Sequence, residues 1–97
     1  MQLVALLTIK SLDAFRRFEH TASAIMTRHG GVIERALMLD GEPLRELHLV
    51  RFPDATAFAA YREDPALAAL APLREAGIAD TIIWPASEGP RYQGVTS

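Results

Sequence analysis

Residues 45–61 read RELHLVRF, then PD, then ATAFAAY, and this run decides the fold. Its first eight residues read as a strand with His48 inside it. Pro53 has no backbone donor and holds Phe52 extended, so the strand ends at this junction. A helix begins at or near Asp54, whose carboxylate can cap Ala55–Arg62. Phe58 and Tyr61 would share the inner face of that helix.

Upstream, Val32–Leu39 (VIERALML) reads as a second strand. The polar link Asp40–Pro43 (DGEP) is short enough to imply a hairpin to Arg45–Phe52. In front of it, Leu12, Phe15, Phe18, Ala22, Ile25 and Met26 recur at three- and four-residue spacing, which is one stripe of an amphipathic helix. Ser11 would cap that helix, and Gly30 or Gly31 would stop it in the left-handed conformation. Gln2–Lys10 is apolar at both parities, as expected of a strand with both faces covered.

Downstream, Asp64-Pro65 repeats the helix-start signal, and Leu67, Leu70 and Leu73 continue a helix over Ala66–Ala76. Pro72 inside it predicts a kink or two short turns, and Gly77 ends it. Ala79–Trp84 is the last strand, and Pro85–Ser97 an irregular tail. The order is β-α-β-β-α-β with a broken second helix, the α+β ferredoxin-like pattern on a four-stranded antiparallel sheet. Residues 1–97 are expected to form one domain, with a core over about 2–84. All helices in this architecture lie on one side of the sheet. The apolar pairs Val32-Ile33 and Leu49-Val50 put greasy groups on both sides. The uncovered side calls for a second copy related by a two-fold axis. Several hundred Å² of such burial is on the order of 10 kcal/mol before association costs.

Composition narrows the classes further. The net charge is -2, and nine of the ten basic residues are arginines scattered along the chain. The basic stripe that nucleic-acid binding requires is missing. Leu3–Leu7 is too short for a signal-peptide core, and no run reaches the length of a membrane span, so a cytoplasmic protein is expected. There is no cysteine for a disulfide. Three histidines without a ligand motif predict no metal site, and no fingerprint for a nucleotide or flavin cofactor is present. No serine has the glycine flanks of a nucleophile elbow.

The glycine pair Gly30-Gly31, the Phe52-Pro53 junction, Tyr61, Asp64-Pro65 and Leu73-Arg74 share a family's order and spacing. On these motifs the chain resembles the DUF1330 group of short bacterial proteins, within the dimeric α/β-barrel superfamily, from about Gln2 to Trp84. The resemblance implies a homodimer whose two sheets pack into a barrel-like core, and no particular reaction. Wider relatives include cofactor-free monooxygenases, haem-degrading enzymes and muconolactone isomerases, which place ligands in a cleft between sheet and helices. The chain departs from the family where a tyrosine near the start of the first helix is replaced by Phe15 or Phe18.

The candidate catalytic residues are His48, Glu46 and Tyr61, and the candidate substrate-binding residues are Arg35, Arg74 and Trp84. If the hairpin pairs Leu39 with Leu44, Arg35 lies opposite His48 and shares a face with His48 and Glu46. A carboxylate could then orient the imidazole while the arginine holds an anion. The same trio could be a cross-strand polar cluster, and a one-residue slip would separate it. Tyr61 could bring its hydroxyl to a cleft mouth or simply pack. Arg74 could bind a carboxylate or pair with Asp64 or Glu75. Trp84 could line a pocket or a dimer rim. Glu34 with Arg51 reads as an ion pair on the other face, His29 as a helix-end group and His20 as solvated. Two readings stay open: a cofactor-independent enzyme for a small organic acid or phenol, and a non-catalytic binding or structural homodimer.

Overall fold

A computed structural model describes residues 1–94. Three residues of the expected tail, 95–97, lie outside the described residues. The elements are β1 (Gln2–Ile9), α1 (Leu12–Arg28), β2 (Val32–Leu39), β3 (Arg45–Arg51), α2 (Ala55–Arg62), α3 (Pro65–Ala68), α4 (Ala71–Gly77) and β4 (Ile78–Ala86). The strands form one antiparallel sheet in the order β2-β3-β1-β4, the ferredoxin-like topology.

Local chemistry accounts for the helix boundaries. The Ser11 hydroxyl accepts from the Ala14 N–H, the Asp54 carboxylate from Ala57, and the Asp64 carboxylate from Ala66. Gly30, at φ 76°, ends α1. The second helix is broken twice: once at Glu63-Asp64, and again before Ala71, which leaves Pro72 in the first turn of α4. Gly77 is needed for a different reason. A Cβ there would sit 2.6 Å from the Phe15 backbone nitrogen, because α4 ends directly against the start of α1.

Helices cover one face only. Leu7, Ile9 and Ile78 of the sheet pack with Phe15, Phe18 and Ala22 of α1. Leu3 and Val50 pack with Met26 of α1 and with Phe52, which follows β3, while Phe58 and Tyr61 of α2 lean on the group. The reciprocal bonds Phe52 N–H to Met1 O and Met1 ammonium to Phe52 O, both 2.9 Å, tie the two ends of this second cluster together.

The opposite face is apolar and open. Cross-strand neighbours there are Val4 with Leu49 and Trp84, and Leu6 with Leu47 and Ile82. Leu37, Leu39, Leu49, Ile82 and Trp84 are each between 38% and 46% exposed. The expected Glu34–Arg51 ion pair spans this face at 3.0 Å.

Two expectations need correction. The last strand runs to Ala86 rather than Trp84, because Pro85 and Ala86 still pair with Leu3 and Gln2 on β1. The hairpin register differs by one residue. Leu39 pairs with Arg45, not Leu44. Leu44 instead turns inward against the Leu7–Phe15 cluster, and its carbonyl accepts the Ile9 N–H at 2.9 Å. That lengthens the connection by one residue and flips the facing side chains of β2. Arg35 is therefore opposite Leu49, on the open face, and Ala36 stands opposite His48. A bulge between Ile33 and Arg35 absorbs the slip, so Ile33 pairs with Val50 as the expected register requires.

Candidate functional site

The two hydrophobic clusters do not merge completely. Between them, under α1 and α2–α4, lies a cavity of about 300 Å³. Its walls are mostly aliphatic and aromatic, with Leu3, Leu7, Phe18, Met26, Val50 and Phe52 among them. The polar groups reaching it are His48 from β3, Glu19 from α1, Tyr61 and Arg62 from α2, Arg74 from α4 and Thr81 from β4. A small apolar chamber with a few convergent polar groups is the usual form of a small-molecule site.

His48 and Glu46 are the buried polar residues of the described chain, at 4% and 5% exposure. They are two apart on β3, so strand parity turns both toward the helices. The His48 Nε2–H donates to Glu46 Oε1 at 2.7 Å. Arg16, reaching down from α1, holds the other carboxylate oxygen, Oε2, at 3.6 Å. The carboxylate can only accept here, so it keeps the ring proton on Nε2 and leaves the lone pair on Nδ1. The Phe15 ring packs beside the imidazole, 6.4 Å between centroids.

Glu19 sits on the inner stripe of α1, one residue after buried Phe18 and three before buried Ala22. Burial pushes its carboxyl above the usual carboxylate range. The Glu46 charge adds to that, while His48 and Arg74 pull against it. Tyr61 is pushed up to about 12, chiefly by burial and then by Glu19, with Arg74 opposing. Its ring stacks at a tilt on Phe52, with centroids 5.5 Å apart. The Arg74 guanidinium donates to Thr81 Oγ1 at 3.1 Å, across the α4–β4 corner. Arg62 lies over the Phe58 ring at 5.5 Å.

A second polar group stands behind Tyr61. His29, at the end of α1, donates from Nε2 to Asp64 Oδ2 at 2.7 Å, and Arg28 approaches the same oxygen at 3.8 Å. The His29 bond and the Ala66 N–H hold the Asp64 carboxyl below its ordinary range. The His29 ring meets Tyr61 edge-on at 6.3 Å. Asp64 is thus a partner of His29 and Arg28, and Arg74 is bound to Thr81.

The structure brings together four of the six residues singled out from sequence: His48, Tyr61 and Arg74 in the cavity wall, and Glu46 directly behind His48. It separates two. Arg35 is exposed on the open face, for the register reason given above. Trp84 is opposite Val4 on that same face, 46% exposed, and is no part of the cavity. Glu19 was missed, although its place within an apolar stripe was a usable signal. His20 is exposed. Among the described residues no three histidine, cysteine or acidic side chains converge as a metal site, and no helix is long and apolar enough to cross a membrane.

Comparison with known proteins agrees with this architecture. The model of the family described as a domain of unknown function, DUF1330, matches residues 2–85. No curated protein matches. Among solved structures, SnoaB, a cofactor-independent oxygenase from Streptomyces nogalater, superposes with a TM-score of 0.67 at 16% identity, covering 91% of this chain and 93% of that one. A protein provisionally named an antibiotic biosynthesis monooxygenase, from Bacteroides thetaiotaomicron, gives 0.74 at 15% identity, covering 100% of this chain and 94% of the other. An uncharacterised NIPSNAP domain protein from Burkholderia xenovorans gives 0.65 at 17%, covering 94% and 100%. At such identities the likeness shows a shared fold.

Proposed function

We propose that this chain, which belongs to the DUF1330 family, is a cofactor-independent enzyme that deprotonates a small organic acid or phenol in the cleft between sheet and helices. One observation carries the reading. His48 lines an apolar chamber on one side and is held by a buried carboxylate on the other, at 2.7 Å. A core histidine that only packed would not need a carboxylate acceptor brought into the interior with it, since burying that acid costs several kcal/mol unless it is paired. The pair works as a base with its orienting group. Glu46 fixes the tautomer and steadies the imidazolium that forms when Nδ1 takes a proton. Arg74 stands in the same wall to hold the anion produced. The mostly apolar lining lowers the polarity around these groups, which strengthens both effects. The fold shared with a cofactor-independent oxygenase supports this class.

The working unit of this reading is a homodimer closed over the open sheet face. Its support is the apolar run through Val4, Leu6, Leu37, Leu49, Ile82 and Trp84, which no helix among the described residues covers.

The enzymatic reading is tested with para-nitrophenol, whose phenolate absorbs where the phenol does not. The wild-type protein should bind it as phenolate below its solution pKa. His48→Gln, shown by circular dichroism to be folded, should bind it undissociated or not at all. Phenolate formation undiminished in that variant would leave His48 a packing residue and favour a non-catalytic binding protein.

A further inference from the structure

Glu19 is the charged residue of α1 that faces the cavity; Asp13, Arg16, Arg17 and Arg28 are exposed. It projects into the chamber from the helix wall, while His48 rises from the sheet floor. The charged and titratable groups facing it are His48 and Glu46 from β3, Arg74 from α4 and Tyr61 from α2. No side-chain or backbone donor bonds to it among the described residues. Glu46, the buried acid, has His48 and Arg16 for partners, whereas half-buried Glu19 has no protein partner. A half-buried carboxyl in the wall of an apolar cavity, facing a histidine and bound to no protein donor, is placed to meet what enters.

We propose that Glu19 is a proton-donating catalytic residue opposite His48, and that the substrate is an enolisable carbonyl compound bound between them. The proposal rests on the reading of His48 as the base. In the step, the C–H bond next to the carbonyl breaks and its proton goes to His48 Nδ1. The bonding pair becomes the new C=C bond. The carbonyl π pair moves onto oxygen, which takes the proton from the Glu19 carboxyl. The products are an enol, an imidazolium and a Glu19 carboxylate, so atoms and charge balance. If the Nδ1 proton first exchanges with water, reprotonation of the same carbon gives exchange with solvent, and protonation of a conjugated carbon gives an isomer.

Three features favour Glu19 over other donors in the chamber. Burial keeps its carboxyl in the acid form further up the pH scale than a solvated glutamate. Tyr61, pushed up to about 12, is a far weaker acid. Arg74 can donate hydrogen bonds from its remaining N–H groups but does not give up a proton. The volume, about 300 Å³, sits at the low end of the roughly 300–1,000 Å³ typical of small-molecule sites, and suits a compound of one ring or fewer.

The test is exchange of the central methylene of acetylacetone into heavy water, followed by NMR, beside phenolate formation from para-nitrophenol, which has no enolisable carbonyl. Wild type should accelerate exchange over buffer. Glu19→Gln, close in size but unable to pass on a proton, should lose about a hundredfold of that rate with KM little changed, since a positioned acid contributes roughly 10²–10⁴. It should still form phenolate. His48→Gln should lose both. If Glu19→Gln exchanges like wild type while His48→Gln is silent, the role of Glu19 is overturned and the base stands. If His48→Gln keeps both activities, the base falls and this proposal with it. If wild type forms phenolate but does not speed exchange, the carbonyl class is wrong. NMR titration of the wild-type side-chain carboxyl carbons needs no variant. A Glu19 signal that titrates in the ordinary carboxylate range would also overturn the assignment.

Discussion

Replacing Trp84 with alanine should weaken self-association by orders of magnitude while leaving the subunit folded. Trp84 stands opposite Val4 on the open sheet face and is 46% exposed in the single subunit. A tryptophan side chain presents on the order of 250 Å², so about 115 Å² of it is available to a partner. At about 25 cal/mol per Å² that is about 3 kcal/mol per subunit, and two-fold symmetry doubles it to about 6. The alanine that remains, and imperfect burial at a rim, reduce the figure. The expected rise in Kd is therefore about 10²–10⁴. Sedimentation equilibrium across the micromolar range measures it directly. The chain also contains one tryptophan, so its own emission reports on this position. In the wild type the emission should lie to the blue at high concentration and shift to the red as dimers dissociate on dilution. Arg17→Ala, on the exposed side of α1, should change neither reading. A wild-type chain that sediments as a folded monomer at micromolar concentration, with emission indifferent to dilution, would refute the argument that this face is sheltered by a second copy.

Gly77→Ala should destabilise the fold by about 1–3 kcal/mol in denaturant titration, because the new methyl meets the Phe15 and Ala14 backbone at under 3 Å and backbone cannot swing aside. Asp64 has a folded-state pKa below its unfolded value. It therefore contributes stability that is present above the ordinary aspartate range and lost as pH falls through the depressed folded value. Asp64→Asn keeps a capping side chain, so melting temperatures taken against pH should lose that acid-side decline. Glu19 has the opposite sign. Its folded pKa is raised, so stability is fullest below the unfolded value and falls as pH rises toward the folded one. Glu19→Gln should therefore melt higher than wild type at neutral pH and match it more closely in acid.

What could be read from the residues, and what could not, divides along a physical line. Helix starts depend on a side chain and an N–H two or three residues away, and Ser11, Asp54 and Asp64 all cap as their local sequence implies. The face of a strand residue depends on parity alone, so His48, Glu46 and Val50 turn inward together. That parity, with the inner stripe of α2, was enough to bring His48 and Tyr61 to one cavity. Cross-strand partners depend on something further: how many residues the hairpin link consumes. Here the link is decided by Leu44, which gains more by packing on the Leu7–Phe15 cluster than by pairing with Leu39. An apolar residue next to a turn competes for the core, and its choice moves Arg35 from one side of the sheet to the other. The bulge at Glu34 takes up the slip, so Ile33 and Val50 still pair at the far end of the hairpin. Glu19 was overlooked for a related reason. Apolar spacing marks only the apolar members of the α1 stripe, yet position 19 lies four after Phe15 and three before Ala22, on the inward side by geometry whatever its chemistry. An acid at such a position loses part of its hydration on folding. Its place in the cavity wall is more informative about function than any of the leucines around it.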